Sequence, residues 1–114
     1  MGRKAYEEYE YLDKLKKEIV RILKKHGIKK AGIFGSYVRG EQDEKSDIDI
    51  IIEPNKGMGL EFVEVALELE KALGKKVDLL TYNSISPYLK EYILGEEVRI
   101  IWQSILIFHI LIIF

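Results

Sequence analysis

The sequence predicts an α/β (α+β) fold in which a small mixed β-sheet is flanked by helices. Two observations carry that expectation. Apolar residues switch repeatedly between helical spacing and short β-branched runs, giving the order α-β-α-β-α-β-α-β. Glycine or proline stands at most of the switches, where compact elements need their ends. With 114 residues and no internal repeat, the chain suits one core and one sheet with helices packed mainly on one side.

The first helix is expected over residues 6–26, where Leu12, Leu15, Ile19, Ile22 and Leu23 recur at helical spacing. Lys24 and Lys25 suit its C-terminal dipole, and Gly27 supplies the stop. Residues 30–34 form a short strand, after which Gly35-Ser36 turns into a brief helix ending near Gly40. The clearest strand is DIDIIIE, residues 47–53, a β-branched run stopped by Glu53-Pro54. A loop over 55–59 leads to a second long helix with Phe62, Ala66, Leu69 and Leu73 on one face, closed by Gly74. KVDLLTY, residues 76–82, is the next strand. Ser86-Pro87 fits an N-cap and first helical position, opening a helix to about Leu94 with Gly95 as its stop. Residues 97–102 return to strand, with Val98, Ile100 and Trp102 on one face.

Residues 1–102 thus form the expected domain, and 103–114 a separate apolar tail. A net charge of -1 gives no direct signal for nucleic acid. The absence of cysteine excludes disulfides and thiolate metal sites, and no N-terminal apolar stretch resembles a signal peptide, so a cytoplasmic location is expected. Lys, Glu and Ile are abundant while Asn and Gln occur twice each, a bias shared with proteins from hot habitats.

The chain uses five Asp against fourteen Glu, and three of the five, Asp47, Asp49 and Asp78, fall in or at the start of predicted strands, where Asp is depleted. On a strand Asp47 and Asp49 point the same way, with Ile48 and Ile50 on the opposite face. Converging carboxylates repel and raise each other's pKa unless a cation lies between them. Mg²⁺ suits such a pair, because it prefers hard oxygen ligands and completes its shell with water and substrate phosphates. The bland alternatives are a turn cap at Ser46-Asp47 and solvent-facing strand residues at Asp49 and Asp78.

Gly35 permits a tight turn, and Ser36 begins a short helix whose backbone N-H groups can hold phosphate oxygens. Gly-Ser alone is an ordinary turn; the weight lies in strand, Gly-Ser, ten residues, then Asp-x-Asp opening another strand. Arg39 can pair with phosphate, against the plainer reading of a solvated arginine. His26 is expected as a surface residue suited to a helix C-terminus, and His109 as structural.

The stretch GSYVRGEQDEKSDIDI, with Gly35, Ser36, Asp47 and Asp49, resembles the minimal nucleotidyltransferases of the polymerase-beta-like superfamily. The likeness extends over roughly residues 10–102 and includes VDLLT, which holds Asp78, and the helix SPYLKEYILGE. It implies a nucleotidyltransferase-like sheet and the transfer of a nucleoside monophosphate, AMP from ATP, to a hydroxyl. It further implies that Gly35 and Ser36, with Arg39 beside them, bind the triphosphate. Asp47 and Asp49 would hold two Mg²⁺ ions, and Asp78, the third carboxylate of the metal site, would position or deprotonate the attacking hydroxyl. The resemblance also implies a HEPN-domain toxin as partner and acceptor, with this chain as antitoxin of a toxin-antitoxin system.

Two alternatives stand beside the enzyme: a binding module that neutralises its partner by complex formation, and a small-molecule nucleotidyltransferase like the antibiotic-modifying enzymes. Both transferase readings meet the same shortage, since the chain has no second domain to recognise a base or an acceptor. Residues 105–114 are apolar except His109, and too few for a bilayer span of about 20 residues. They are expected as a contact for self-association or for a partner strand, with a buried strand of the core, or sequence foreign to the family, left open.

Overall fold

The computed structural model describes residues 3–43 and 45–102; the expectations for the 103–114 tail, His109 among them, lie outside the described residues. The elements run α1 (Arg3–Lys25), β1 (Lys30–Phe34), α2 (Ser36–Arg39), β2 (Ile48–Ile52), α3 (Glu61–Leu73), β3 (Val77–Thr81), a 3₁₀ turn (Tyr82–Ser84), α4 (Pro87–Glu96) and β4 (Val98–Trp102). The four strands form one mixed sheet in the order β3-β2-β1-β4, with β2 and β3 parallel and the other neighbours antiparallel. The expected element order and layered mixed sheet are therefore present.

Helices α1 and α3 cover one face. The α1 stripe of Leu15, Ile19, Ile22 and Leu23 is buried against Val65 and Leu69 of α3 and against Ile33, Ile48, Ile50 and Ile52 of the sheet. Each fully enclosed aliphatic side chain contributes roughly 1.5–3 kcal/mol relative to exposure, so this layer supplies most of the driving force for folding. Among the described residues the other face carries a small cluster of Phe34, Ile51 and Ile93, flanked by Tyr82 and Ile85. Helix α4 leaves Tyr88, Leu89 and Tyr92 exposed and buries Ile93.

Three local expectations are corrected. Helix α4 does not stop at Gly95 but runs through it to Glu96, and the Glu97 amide donates to the Ile93 carbonyl at 2.9 Å. In β4 the register slips at Ala31/Gly32, so Ala31 faces Ile101 while Gly32 faces Arg99. The bulge breaks the simple alternation: Ile101 is buried, whereas Val98 and Trp102 are exposed. His26 is half-buried instead of free at the surface; its side chain is 15% exposed, and its Nδ1 and Nε2 lie 3.2 Å and 3.0 Å from Glu61 and Glu68 carboxylates on α3. Asn55 Nδ2 donates to the His26 carbonyl at 2.7 Å, satisfying a helix-end acceptor.

Candidate active site

The β2-β3 register sets Asp49 directly beside Asp78. Because the pairing is parallel and Ile48 and Ile50 point into the helical layer, both carboxylates project from the opposite face. They border an open cleft of about 370 Å³ whose walls include Phe34, Val63 and Leu80. Asp47 lies just outside β2, which begins at Ile48 instead of residue 47, so it belongs to the loop entering the strand.

Burial pushes the Asp49 carboxyl up to about 6, reinforced by the charge of Asp78, a hydrogen bond with Asp78 and the charge of Asp47; Arg39 opposes the rise. Without a counter-ion the pair is electrostatically unfavourable, and a bound cation would relieve it. Among the described residues no three His, Cys, Asp or Glu side chains converge closely enough to enclose a metal by themselves. Asp49 and Asp78 make the close pair, and Asp47 acts on Asp49 through charge alone. This all-carboxylate donor set fits an oxygen-preferring cation that takes its remaining ligands from water or substrate phosphate.

Gly35 sits at the end of β1 against Asp49 and adopts φ 81°. A Cβ added there would collide with the Asp49 carboxylate, so glycine is required both by the backbone and by the close approach. The four-residue α2 follows at once, with the Gly35 carbonyl accepting from Val38 and Arg39 and Gly40 closing it at φ 72°. Ser36 is half-buried at the start of this turn.

The expected phosphate contacts of Gly35 and Arg39 are already engaged within the chain. The Gly35 amide donates to Glu96 Oε1 at 2.7 Å. Arg39 donates from one guanidinium nitrogen to both Glu96 oxygens, at 2.9 Å and 3.0 Å, and from Nε to Glu41 at 3.0 Å. Burial alone would raise the Glu96 carboxyl, but the Arg39 and Gly35 hydrogen bonds and the Arg39 charge hold it below the usual carboxylate range.

Glu96 has no counterpart among the expected site residues, nor does Glu97 beside it. The Glu97 side chain is 3% exposed, pairs with Arg99 and accepts from Tyr82 Oη at 3.1 Å. It lies across Gly32, where a Cβ would strike its carboxylate, and Lys30 Nζ stands 4.2 Å from the Tyr82 ring centroid. One signal in the sequence points to both glutamates. Acidic residues at a helix C-terminus oppose the macrodipole, so two in succession imply compensation elsewhere in the fold.

The chain matches the family model described as polymerase beta, nucleotidyltransferase, over residues 17–105. A Methanocaldococcus jannaschii protein provisionally named as a protein adenylyltransferase is 53% identical over 91 residues, covering 79% of this chain and 98% of that protein. The protein adenylyltransferase MntA of Thermococcus cleftensis is 36% identical over 80 residues, 69% of this chain and 81% of that one. A crystal structure of a toxin-antitoxin with AMP-PNP contains a chain that superposes with a TM-score of 0.66 at 25% identity, covering 78% of this chain and 74% of that one. The glycine-serine turn and the paired strand aspartates thus sit in a chain that belongs to the polymerase beta nucleotidyltransferase family.

Proposed function

We propose that this chain is a Mg²⁺-dependent protein adenylyltransferase that moves AMP from ATP to a hydroxyl of a partner HEPN-type toxin and thereby acts as its antitoxin. The observation that carries the reading is the side-by-side placement of Asp49 and Asp78, with the Gly35-Ser36 turn packed against Asp49. A triphosphate lying on that turn would bring its α-phosphate toward the carboxylates. Magnesium held by Asp47 and Asp49, with Asp78 completing the set, would supply charge neutralisation at the entering and leaving oxygens of an in-line displacement. Asp78 would orient the acceptor hydroxyl and take its proton as the oxygen attacks the α-phosphorus. The bond to the bridging oxygen breaks, and pyrophosphate departs with the electron pair. Ser36 and the amides that open α2 would bind the β- and γ-phosphates.

A protein acceptor is supported by the names of the two relatives, and ATP with a toxin partner by the toxin-antitoxin structure holding AMP-PNP. Incubating the protein with ATP labelled at the α-phosphate, Mg²⁺ and a HEPN-type partner protein should label the partner chain, and EDTA should prevent it. Complex formation without label would favour the binding module, and labelling of a small aminoglycoside-like alcohol instead would favour the small-molecule enzyme.

A further inference from the structure

Helix α2 has only four residues, too few to hold its own geometry, so the turn that carries Gly35 and Ser36 must be fixed by its surroundings. On one side it packs on the sheet, where Tyr37 is buried. On the other side the only described side-chain acceptor of the Gly35 amide is Glu96, which grips Arg39 at the far end of α2 with the same carboxylate. That carboxylate is 13% exposed and the Arg39 side chain 38%, so the pair lies at the rim of the turn, while the bond to the Gly35 amide is the more enclosed of the contacts. Glu96 belongs to α4, which buries Ile93 and leaves Tyr88 94%, Leu89 53% and Tyr92 61% exposed. The seat of α4 and the geometry of the phosphate turn are therefore joined through one carboxylate.

We propose that Glu96 is a positioning residue: from the last turn of α4 it holds the Gly35-Ser36 turn and Arg39 in the arrangement that receives the triphosphate, so that nucleotide affinity depends on how α4 is seated. The inference rests on the reading above, in which that turn binds ATP. The Gly35 peptide is the sensitive point. Its positive φ and the contact of its Cα with the Asp49 carboxylate leave little freedom, and a rotation there would move Ser36 and the space beside Asp49 together. The competing possibility is that the carboxylate repels the incoming phosphates and must be displaced.

Calorimetric titration of the full-length chain with AMP-PNP and Mg²⁺ separates these cases without needing an acceptor. Glu96→Gln keeps an acceptor for the Gly35 amide but loses the charge that holds Arg39, and several-fold weaker binding is expected. Glu96→Ala removes both contacts, for which the loss of two charge-assisted bonds predicts weakening of about tenfold or more. In Glu96→Gln the melting temperature without nucleotide should stay near that of the parent, which a purely structural role would not allow alongside weaker binding. Arg39→Gln should add less in the Glu96→Gln background than alone, because the two residues act as a unit. Unchanged or tighter AMP-PNP binding in the folded variants overturns the proposal, the tighter result assigning Glu96 as a competitor of the phosphates. If Glu96→Ala does not fold, Glu96→Gln decides by itself, and parental affinity there overturns the idea. Failure of the parent chain to bind AMP-PNP at all would instead remove the nucleotide reading on which this one stands.

Discussion

On the face of the sheet covered by α1 and α3, Ile33, Ile48, Ile50 and Ile52 are at most 5% exposed and pack among aliphatic side chains. The opposite face carries Asp49, Asp78, Lys30 and Glu97 around a small cluster of Phe34, Ile51 and Ile93. The first face follows every local rule of a stable core. The second breaks several: aspartates on strands, glycine within a strand at Gly32, and two glutamates at a helix C-terminus. The difference teaches that aliphatic burial and charge are divided between the faces. Like charges can be gathered on one side because aliphatic burial on the other holds the fold.

The sharpest way to break this comparison is to remove charge from the open face. If Asp47 and Asp49 hold Mg²⁺ as proposed, Asp47→Asn with Asp49→Asn should lower AMP transfer by about a thousandfold or more, since charge stabilisation by a held metal amounts to several kcal/mol of barrier. The same double variant should melt no lower than the parent, because relieving repulsion at a raised-pKa carboxylate opens no cavity. Transfer is followed by incorporation of labelled AMP and folding by circular dichroism. Retained transfer would sink the site assignment, and loss of fold would sink the division between the faces.

The complementary test deletes volume from the closed face. Ile19 is fully buried, and Ile19→Ala should cost about 2–5 kcal/mol in denaturant unfolding through lost burial and the cavity left behind. The fraction that remains folded should bind nucleotide with parental affinity. An affinity loss in that folded fraction would show the faces to be coupled.

A smaller effect is expected at the clamp between α1 and α3. The hydrogen bond to Glu68 leads in raising the His26 pKa, with burial opposing it and Glu61 adding to it. A group raised on folding stabilises fully below its unfolded value, about 6.5 for histidine, and that contribution fades as pH climbs through the folded value. The melting-temperature gap between the parent and His26→Gln should therefore be widest at mildly acidic pH and narrow on the alkaline side. A gap that grows with pH would refute the charged clamp.

The smallest change is predicted next to the Gly35-Ser36 turn. Tyr37 is 4% exposed, its hydroxyl has no hydrogen-bond partner among the described residues, and it borders a cavity of about 110 Å³ lined by Leu12, Leu15, Ile19 and Ile33. Removing an unpaired buried hydroxyl costs nothing in lost bonds, so Tyr37→Phe should be neutral or stabilising by about 1 kcal/mol. Nucleotide affinity should not change, since the phenol faces the closed side of the turn. Destabilisation by Tyr37→Phe would reveal a partner for the hydroxyl.

What the sequence determined by itself is the order of the elements and the three candidate aspartates, Asp47, Asp49 and Asp78, but not which two of them meet. Apolar periodicity over Leu15, Ile19, Ile22 and Leu23 and the run Ile50, Ile51 and Ile52 are local patterns, the first burying one face of a helix and the second both faces of a strand. The alternation within β2 likewise places Asp49 opposite Ile48 and Ile50, whatever the neighbours are. The tertiary structure decided everything that depends on which segments meet. The parallel register put Asp78 beside Asp49, the bulge at Ala31/Gly32 turned Ile101 inward, and the packing of α3 placed Glu61 and Glu68 around His26. Above all it brought Glu96 to Gly35 across 61 residues of sequence. Periodicity reports the faces of an element, not its partner, and a charge that opposes its own helix dipole shows its compensation only when the chain is folded.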